Sequence, residues 1–189
     1  MVRSELGTAT VREFAELARA RADGVSLATV GAGSNAARAL GLLERAAGVK
    51  ILEIPYKGGA PGLQAVVAGQ VDATFCDLAL ALPFVPAGTV RILATAGNRR
   101  LALAPDVPTF AEEGLPGIVA EPWYGIVAPT GTPTAVIAEL SAALHAALND
   151  EDIRRRFASL GYEAIVETPE EFAVAIRFEA EQARGDRQR

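Results

Sequence analysis

The chain holds one cysteine, one histidine, one methionine and one tryptophan in 189 residues. With Cys76 alone, no disulfide can form within the chain, and the redox compartment stays open. With His145 alone and no Cys/His cluster, the usual zinc donor sets are missing, so no metal site is expected. No apolar run is long enough to span a bilayer. The opening residues, Met1 to Gly7, lack the apolar core of a secretory signal, so no export address is expected in the chain as written. Positive charge is also scarce: 18 Lys and Arg stand against 23 Asp and Glu, a net of −5. A nucleic-acid surface needs clustered cations to neutralise phosphates, so no nucleic-acid partner is expected. The basic runs Arg99–Arg100, Arg154–Arg156 and the tail Gly185–Arg189 read as solvated helix faces and a frayed end.

Half of the residues are apolar, enough for one globular domain or two small lobes. Thr10 and Glu13 have capping-box spacing, which predicts a helix start with Val11, Phe14, Ala15, Ala18 and Ala22 on its inner face. A strand is expected over Val25–Val30, a helix from about Ser34 to Ala47 ended by Gly48, and a strand over Val49–Ile54. A short helix around Leu63–Ala68, a strand Val71–Phe75, a second short helix capped by Asp77 and a strand Val90–Ala96 follow. This β-α-β-α-β-α-β rhythm predicts an α/β fold with a parallel sheet and covering helices.

Prolines become dense from Pro105 onward. Thr109 and Glu112 form a second capping box before a short helix closed by Gly114, and Ile118–Ala128 reads as one or two strands broken by Pro122. Thr132-Pro133 opens an amphipathic helix whose inner stripe is Val136, Ile137, Leu140, Leu144 and Leu148. His145 falls beside that stripe and is expected to be solvated. Ile153, Phe157 and Leu160 mark another helix, Tyr162–Val166 a strand, and Thr168-Pro169-Glu170-Glu171 the cap of a last helix with Phe172, Ile176 and Ala180 inward. The expected division is an α/β domain over residues 1–122 and a mostly helical part over 123–189.

In open α/β sheets ligands sit beyond the carboxyl ends of the strands. Three loops fall there if the rhythm holds. Gly31-Ala32-Gly33-Ser34-Asn35 brings glycines and a hydroxyl to a helix N-terminus, where free N–H groups and the helix dipole favour an anion. It also reads as a tight turn with Ser34 or Asn35 as an ordinary cap. Pro55-Tyr56-Lys57-Gly58-Gly59-Ala60-Pro61 lacks the Gly-Lys-Ser/Thr order of a phosphate loop. It can offer N–H donors and one ammonium, and nothing in it lowers the pKa of Lys57 as Schiff-base chemistry requires. Asp77 reads as a helix cap or as a contact to a ligand hydroxyl, amine or water, and Cys76 as a buried thiol. No Gly-x-Ser-x-Gly elbow is present. No cofactor and no enzymatic activity are expected.

Several segments resemble one family in order along the chain. They are Pro55–Pro61, Gly69-Gln70-Val71-Asp72-Ala73, Ala81-Leu82-Pro83, Arg91-Ile92-Leu93-Ala94 and Ala104–Thr109. Glu113–Gly117, Trp123-Tyr124-Gly125, Ala128–Pro133 and Thr168–Phe172 complete the series over roughly residues 8–180. The family is the substrate-binding proteins of tripartite tricarboxylate transporters, the Bug-type receptors. The resemblance implies a type II periplasmic-binding-protein-like lobe, with the helical C-terminal part returning into the other lobe. It implies a periplasmic location, a small carboxylate ligand and delivery to membrane transporter subunits. Its cleft would be lined by Gly31, Gly33, Ser34, Asn35, Tyr56, Lys57, Gly58, Gly59, Cys76, Asp77 and Trp123. The family commonly has His where this chain has Ala37, Phe-Asp-Asn where it has Phe75-Cys76-Asp77, and a first-lobe segment with a Pro-Gly-Gly loop that is not found here. The other expectation from the residues is a single-lobe interaction or sensing module, paired with itself or with a missing first-lobe segment and without transport function.

Overall fold

A computed structural model describes residues 1–187. The chain forms two compact units, Met1–Tyr124 and Gly125–Arg189. The terminal basic run read as a frayed end reaches Gln188 and Arg189, outside the described residues.

The first unit is built on a sheet in the order β3-β2-β4-β1-β5, with β1 Val2–Arg3, β2 Val25–Thr29, β3 Ile51–Pro55, β4 Ala73–Thr74 and β5 Val90–Arg91. β2 pairs in parallel with β3 and β4, as the alternating rhythm predicts. The departure is β1, which lies antiparallel between β4 and β5 and keeps them from pairing directly. Two residues carry no readable period, so nothing in the sequence marks that strand. Two further strands are shorter than expected: β4 covers only Ala73–Thr74 of Val71–Phe75, and β5 only Val90–Arg91 of Val90–Ala96. Thr95 instead makes an isolated parallel bridge to Thr109.

Helices α1 Val11–Ala20, α2 Asn35–Ala47, α3 Gly59–Val67 and α4 Leu78–Ala81 accompany the sheet. α1 starts at its capping box: the Glu13 N–H donates to Thr10 Oγ1 at 3.1 Å, and the Glu13 carboxylate accepts from the Ala9 N–H, one residue before the usual partner. It ends at Ala20, so Ala22 is exposed and off the buried face. Leu27 and Ala28, successive residues of β2, enter different apolar clusters, which therefore lie on opposite faces of the sheet. One holds Phe14 of α1 and Leu40 and Leu43 of α2; the other holds Leu63, Ala65 and Val66 of α3. A cavity of about 30 Å³ remains in the first, against Phe14, Leu27 and Phe110.

At the amino end of the sheet Asp72 is buried, 6 % exposed. It accepts from Arg3 Nε at 3.0 Å and Nη2 at 2.9 Å, from the Ser26 N–H at 2.9 Å and from Arg21 Nη1 at 3.3 Å. Burial pushes its pKa up, but the Ser26 N–H, the Arg3 hydrogen bonds and the Arg21 charge together hold it below the usual value.

The box at Thr109 forms reciprocally, the Glu112 N–H donating to Thr109 Oγ1 at 3.2 Å and the Thr109 N–H to the Glu112 carboxylate at 2.8 Å. It closes a turn and not the expected short helix. Ile118–Ala128 contains no strand. A single ladder-like bond, from the Ala120 N–H to the Ala96 carbonyl at 2.9 Å, precedes Pro122, and residues 121–130 are exposed. Proline donates no ladder bond, which breaks any pairing at that point.

The second unit is three helices, α5 Thr134–Asn149, α6 Glu151–Ser159 and α7 Pro169–Arg187. Asp150 caps α6 through the Asp152 and Ile153 N–H groups, and the Thr168–Glu171 box caps α7. The expected inner stripe of α5 is not buried: Val136 and Leu140 are exposed, and Ile137, Leu144 and Leu148 half-buried. On α7, Phe172 and Ile176 are half-buried and Ala180 is exposed. Periodicity places a stripe but says nothing of what covers it. His145, expected to be solvated, is half-buried and its Nε2 hydrogen-bonds the Glu167 carbonyl at 2.8 Å. Tyr162–Val166 forms no strand; the Ala164 carbonyl accepts from the Arg154 guanidinium instead.

Candidate functional site

Because β2 is parallel to both its neighbours, the residues after Thr29, Pro55 and Thr74 emerge at one edge, the carboxyl edge. From β2 the chain turns into α2 on one face, and from β3 into α3 on the other. Loops that part to opposite faces mark a topological switch point, the place where such sheets bind ligands.

The three sequence-predicted loops meet there. Gly31 lies against Pro55: a Cβ added to Gly31 would stand 3.9 Å from Pro55 Cβ. The Tyr56 N–H donates to the Thr29 carbonyl at 2.9 Å. Gly59 lies against the third loop, where an added Cβ would be 3.6 Å from Leu80 Cδ1 and 3.8 Å from Cys76 Cβ.

The donors of the first loop can be counted off. The Gly31 N–H goes to Thr29 Oγ1 at 3.0 Å, the Ser34 N–H to the Gly31 carbonyl at 3.2 Å, and the Ala37 N–H to Ser34 Oγ at 3.1 Å. Gly33 has φ 84°, a left-handed turn that suits glycine. The N–H groups of Ala32, Gly33, Asn35 and Ala36 have no acceptor among the described hydrogen bonds. Ser34 is thus the N-cap, as one sequence reading has it, and its hydroxyl hydrogen remains available. The two readings of this loop are compatible: the cap spends a lone pair, and an anion needs the proton.

Gly58 adopts φ 124° and ψ 166°, a conformation side chains rarely reach, and so begins α3 without a side-chain cap. α3 therefore starts four residues earlier than its apolar run suggests, at Gly59 and not Leu63, with Pro61 inside its first turn. Tyr56 packs against the second apolar cluster. Lys57 is exposed and enters none of the described ion pairs. Asp77 stands at the N-cap position of α4, but its side chain makes no capping bond, which corrects the capping role expected of it and bears only on that one. The Cys76 thiol donates to the Asp77 carbonyl at 3.5 Å, and burial pushes its pKa up to about 11. It stays protonated at neutral pH, as expected of a structural thiol. Trp123, 48 % exposed, is not among the residues through which the loops touch.

Two residues of this edge carry no signal in the sequence. Thr29 is buried at the end of β2 and donates to Glu53 Oε1 at 2.6 Å while accepting from Gly31. A strand threonine and a strand glutamate 24 positions apart become partners only through the β2–β3 register. Neither described cavity is lined by the loop residues; the larger, about 280 Å³, lies by Ser4, Val90 and Val107.

A family model described as Tripartite tricarboxylate transporter family receptor matches residues 1–185. Protein BugT of Bordetella pertussis is 33% identical over 153 residues, 81% of this chain and 47% of BugT. Solved structures are similar throughout. R. palustris Rpa4515 with adipate superposes at TM-score 0.91 with 27% identity, covering 99% of this chain and 62% of that one. The periplasmic binding protein BugD gives 0.86 and 32%, over 96% and 62%. MatC from Rhodopseudomonas palustris with bound malate gives 0.83 and 33%, over 98% and 64%. The chain spans about half the length of the curated relatives it matches.

Proposed function

The chain belongs to the tripartite tricarboxylate transporter receptor family, and from that premise we propose that its loop crevice binds a small carboxylate for delivery to a membrane transporter. The observation that carries this reading is the set of unspent N–H donors at Ala32, Gly33, Asn35 and Ala36, beside the Ser34 hydroxyl. They surround the positive end of α2, where a carboxylate is favoured. Tyr56, Lys57, Gly58 and Gly59 line the opposite wall, with Cys76 and Asp77 behind them, and Lys57 adds a charge complementary to the ligand. Trp123 joins the site only by the resemblance. The dicarboxylates bound to Rpa4515 and MatC support the ligand class. The periplasmic description of BugD supports an extracytoplasmic place of action.

Binding of this kind forms no covalent bond. Residues 123–189 would be the return into a first lobe, and closure of that lobe over the ligand would be the signal read by the transporter. A thermal melt against adipate, malate and a neutral control tests the reading. At about a hundred times the dissociation constant a ligand adds roughly 2.7 kcal/mol of stability. A selective rise in melting temperature supports it; a cooperative melt that neither acid moves refutes it.

A second reading has its own observation: among residues 125–181 no side chain is buried, and Val136, Leu140, Val174 and Phe178 are exposed. A lone module would cover them by pairing with itself. Sedimentation at tens of micromolar decides it, since a monomer contradicts that pairing.

A further inference from the structure

Thr29 Oγ1 has a single proton and two lone pairs. That proton is donated to Glu53 Oε1, 2.6 Å away. The hydroxyl is then left with lone pairs, and one of them receives the Gly31 N–H at 3.0 Å. Direction passes from Glu53 through Thr29 to Gly31. Thr29 itself is 2 % exposed and is anchored in β2 at the register position of Pro55.

From this we propose that Thr29 and Glu53 are a positioning pair, which ties the Gly31–Ser34 loop to the sheet edge and holds its free donors in place. Gly31 has φ 89° and no side chain to pack. The remaining ties of the turn run within the loop itself, from the Ser34 N–H to the Gly31 carbonyl, or into α2. Among the described hydrogen bonds, the one to the hydroxyl is what relates the loop to the strand. Without it the N–H groups of Gly33 and Asn35 would keep their turn but lose a fixed aim, and aim is what a preorganised site supplies. What the loop is aimed at rests on the carboxylate reading; the tie itself does not.

Hydrogen exchange of the full chain, read amide by amide in ¹H–¹⁵N spectra, separates the two. Thr29→Val keeps the shape of the side chain and removes the hydroxyl. It should speed exchange at Gly31 about tenfold, the scale of one lost hydrogen bond, while the Leu27 amide inside β2 exchanges as before. Thr29→Ser should restore protection, and Glu53→Leu, which leaves the hydroxyl unoriented, should fall between. Wild-type exchange at Gly31 in Thr29→Val overturns the proposal, and so does equal acceleration along β2, which would mean a loosened fold. The same variants titrated with adipate or malate give the second arm. Thr29→Val should weaken binding several-fold, with Thr29→Ser recovering it. A wild-type chain that binds neither acid would sink the carboxylate reading, and Gly31 exchange would still decide the tie.

Discussion

Asp72 sits in a segment that the family resemblance singles out, Gly69–Ala73, yet it serves the sheet and not the crevice. It joins Arg3 of β1, Arg21 after α1 and Ser26 of β2 at the amino edge, the end away from the loops. Removing the buried carboxylate takes a partner from two guanidinium groups and from the Ser26 N–H, so Asp72→Ala should cost about 3 kcal/mol in chemical denaturation. The pH dependence follows from its lowered pKa. A carboxyl lowered on folding contributes fully above its unfolded value, near 3.9, and loses that contribution as pH falls through the folded value. The advantage of wild type over Asp72→Asn should thus be complete at pH 7 and shrink below about pH 4. Cys76 offers the opposite case. Its pKa of about 11 predicts slow alkylation by iodoacetamide at pH 8 in the folded chain and fast alkylation once it is unfolded; equal rates would contradict its burial. The thiol's protonated state is legible from its sequence neighbours, which include no base. The hub at Asp72 is not, because its partner Arg3 lies 69 residues away.

Elements with local causes were read correctly where the cause is local. The boxes at Thr109 and Thr168 form reciprocally and Thr10 caps through the Glu13 N–H, since both partners lie within one turn. Thr168→Ala should destabilise α7 by about 1 kcal/mol, measurable as lost helicity on mild heating. The box at Thr109 shows the limit: a cap offers a start, and Gly114 with Pro116 stops the helix after one turn. Strands depended on partners the sequence does not display. Ile118–Ala128 and Tyr162–Val166 have strand composition and form no strand among the described residues, while β1 has almost no composition and is paired on both sides. Gly125 is a tighter constraint than its sequence position suggests. An added Cβ would fall 2.2 Å from Phe172 Cζ, so Gly125→Ala should cost about 1–3 kcal/mol through the displaced ring.

For the whole molecule, the alternation of strand and helix was enough to foresee three loops at one sheet edge. The register and the two apolar clusters explain why they emerge together and part to opposite faces. What sequence could not supply was the ledger of donors: which amides are spent within the loops and which remain. The apolar stripes of α5 and α7 were foreseen as inward and are exposed or half-buried in this chain. Burial depends on covering surface, and periodicity alone does not provide it. The most direct measurement is a ¹H–¹⁵N titration of the chain with a dicarboxylate such as malate. Carboxylate binding at the loops requires saturable shifts concentrated at Ala32–Ala36, Tyr56–Gly59 and Cys76–Asp77, with the amino edge around Asp72 unmoved. Saturable shifts centred anywhere else, or none at millimolar acid, would contradict it.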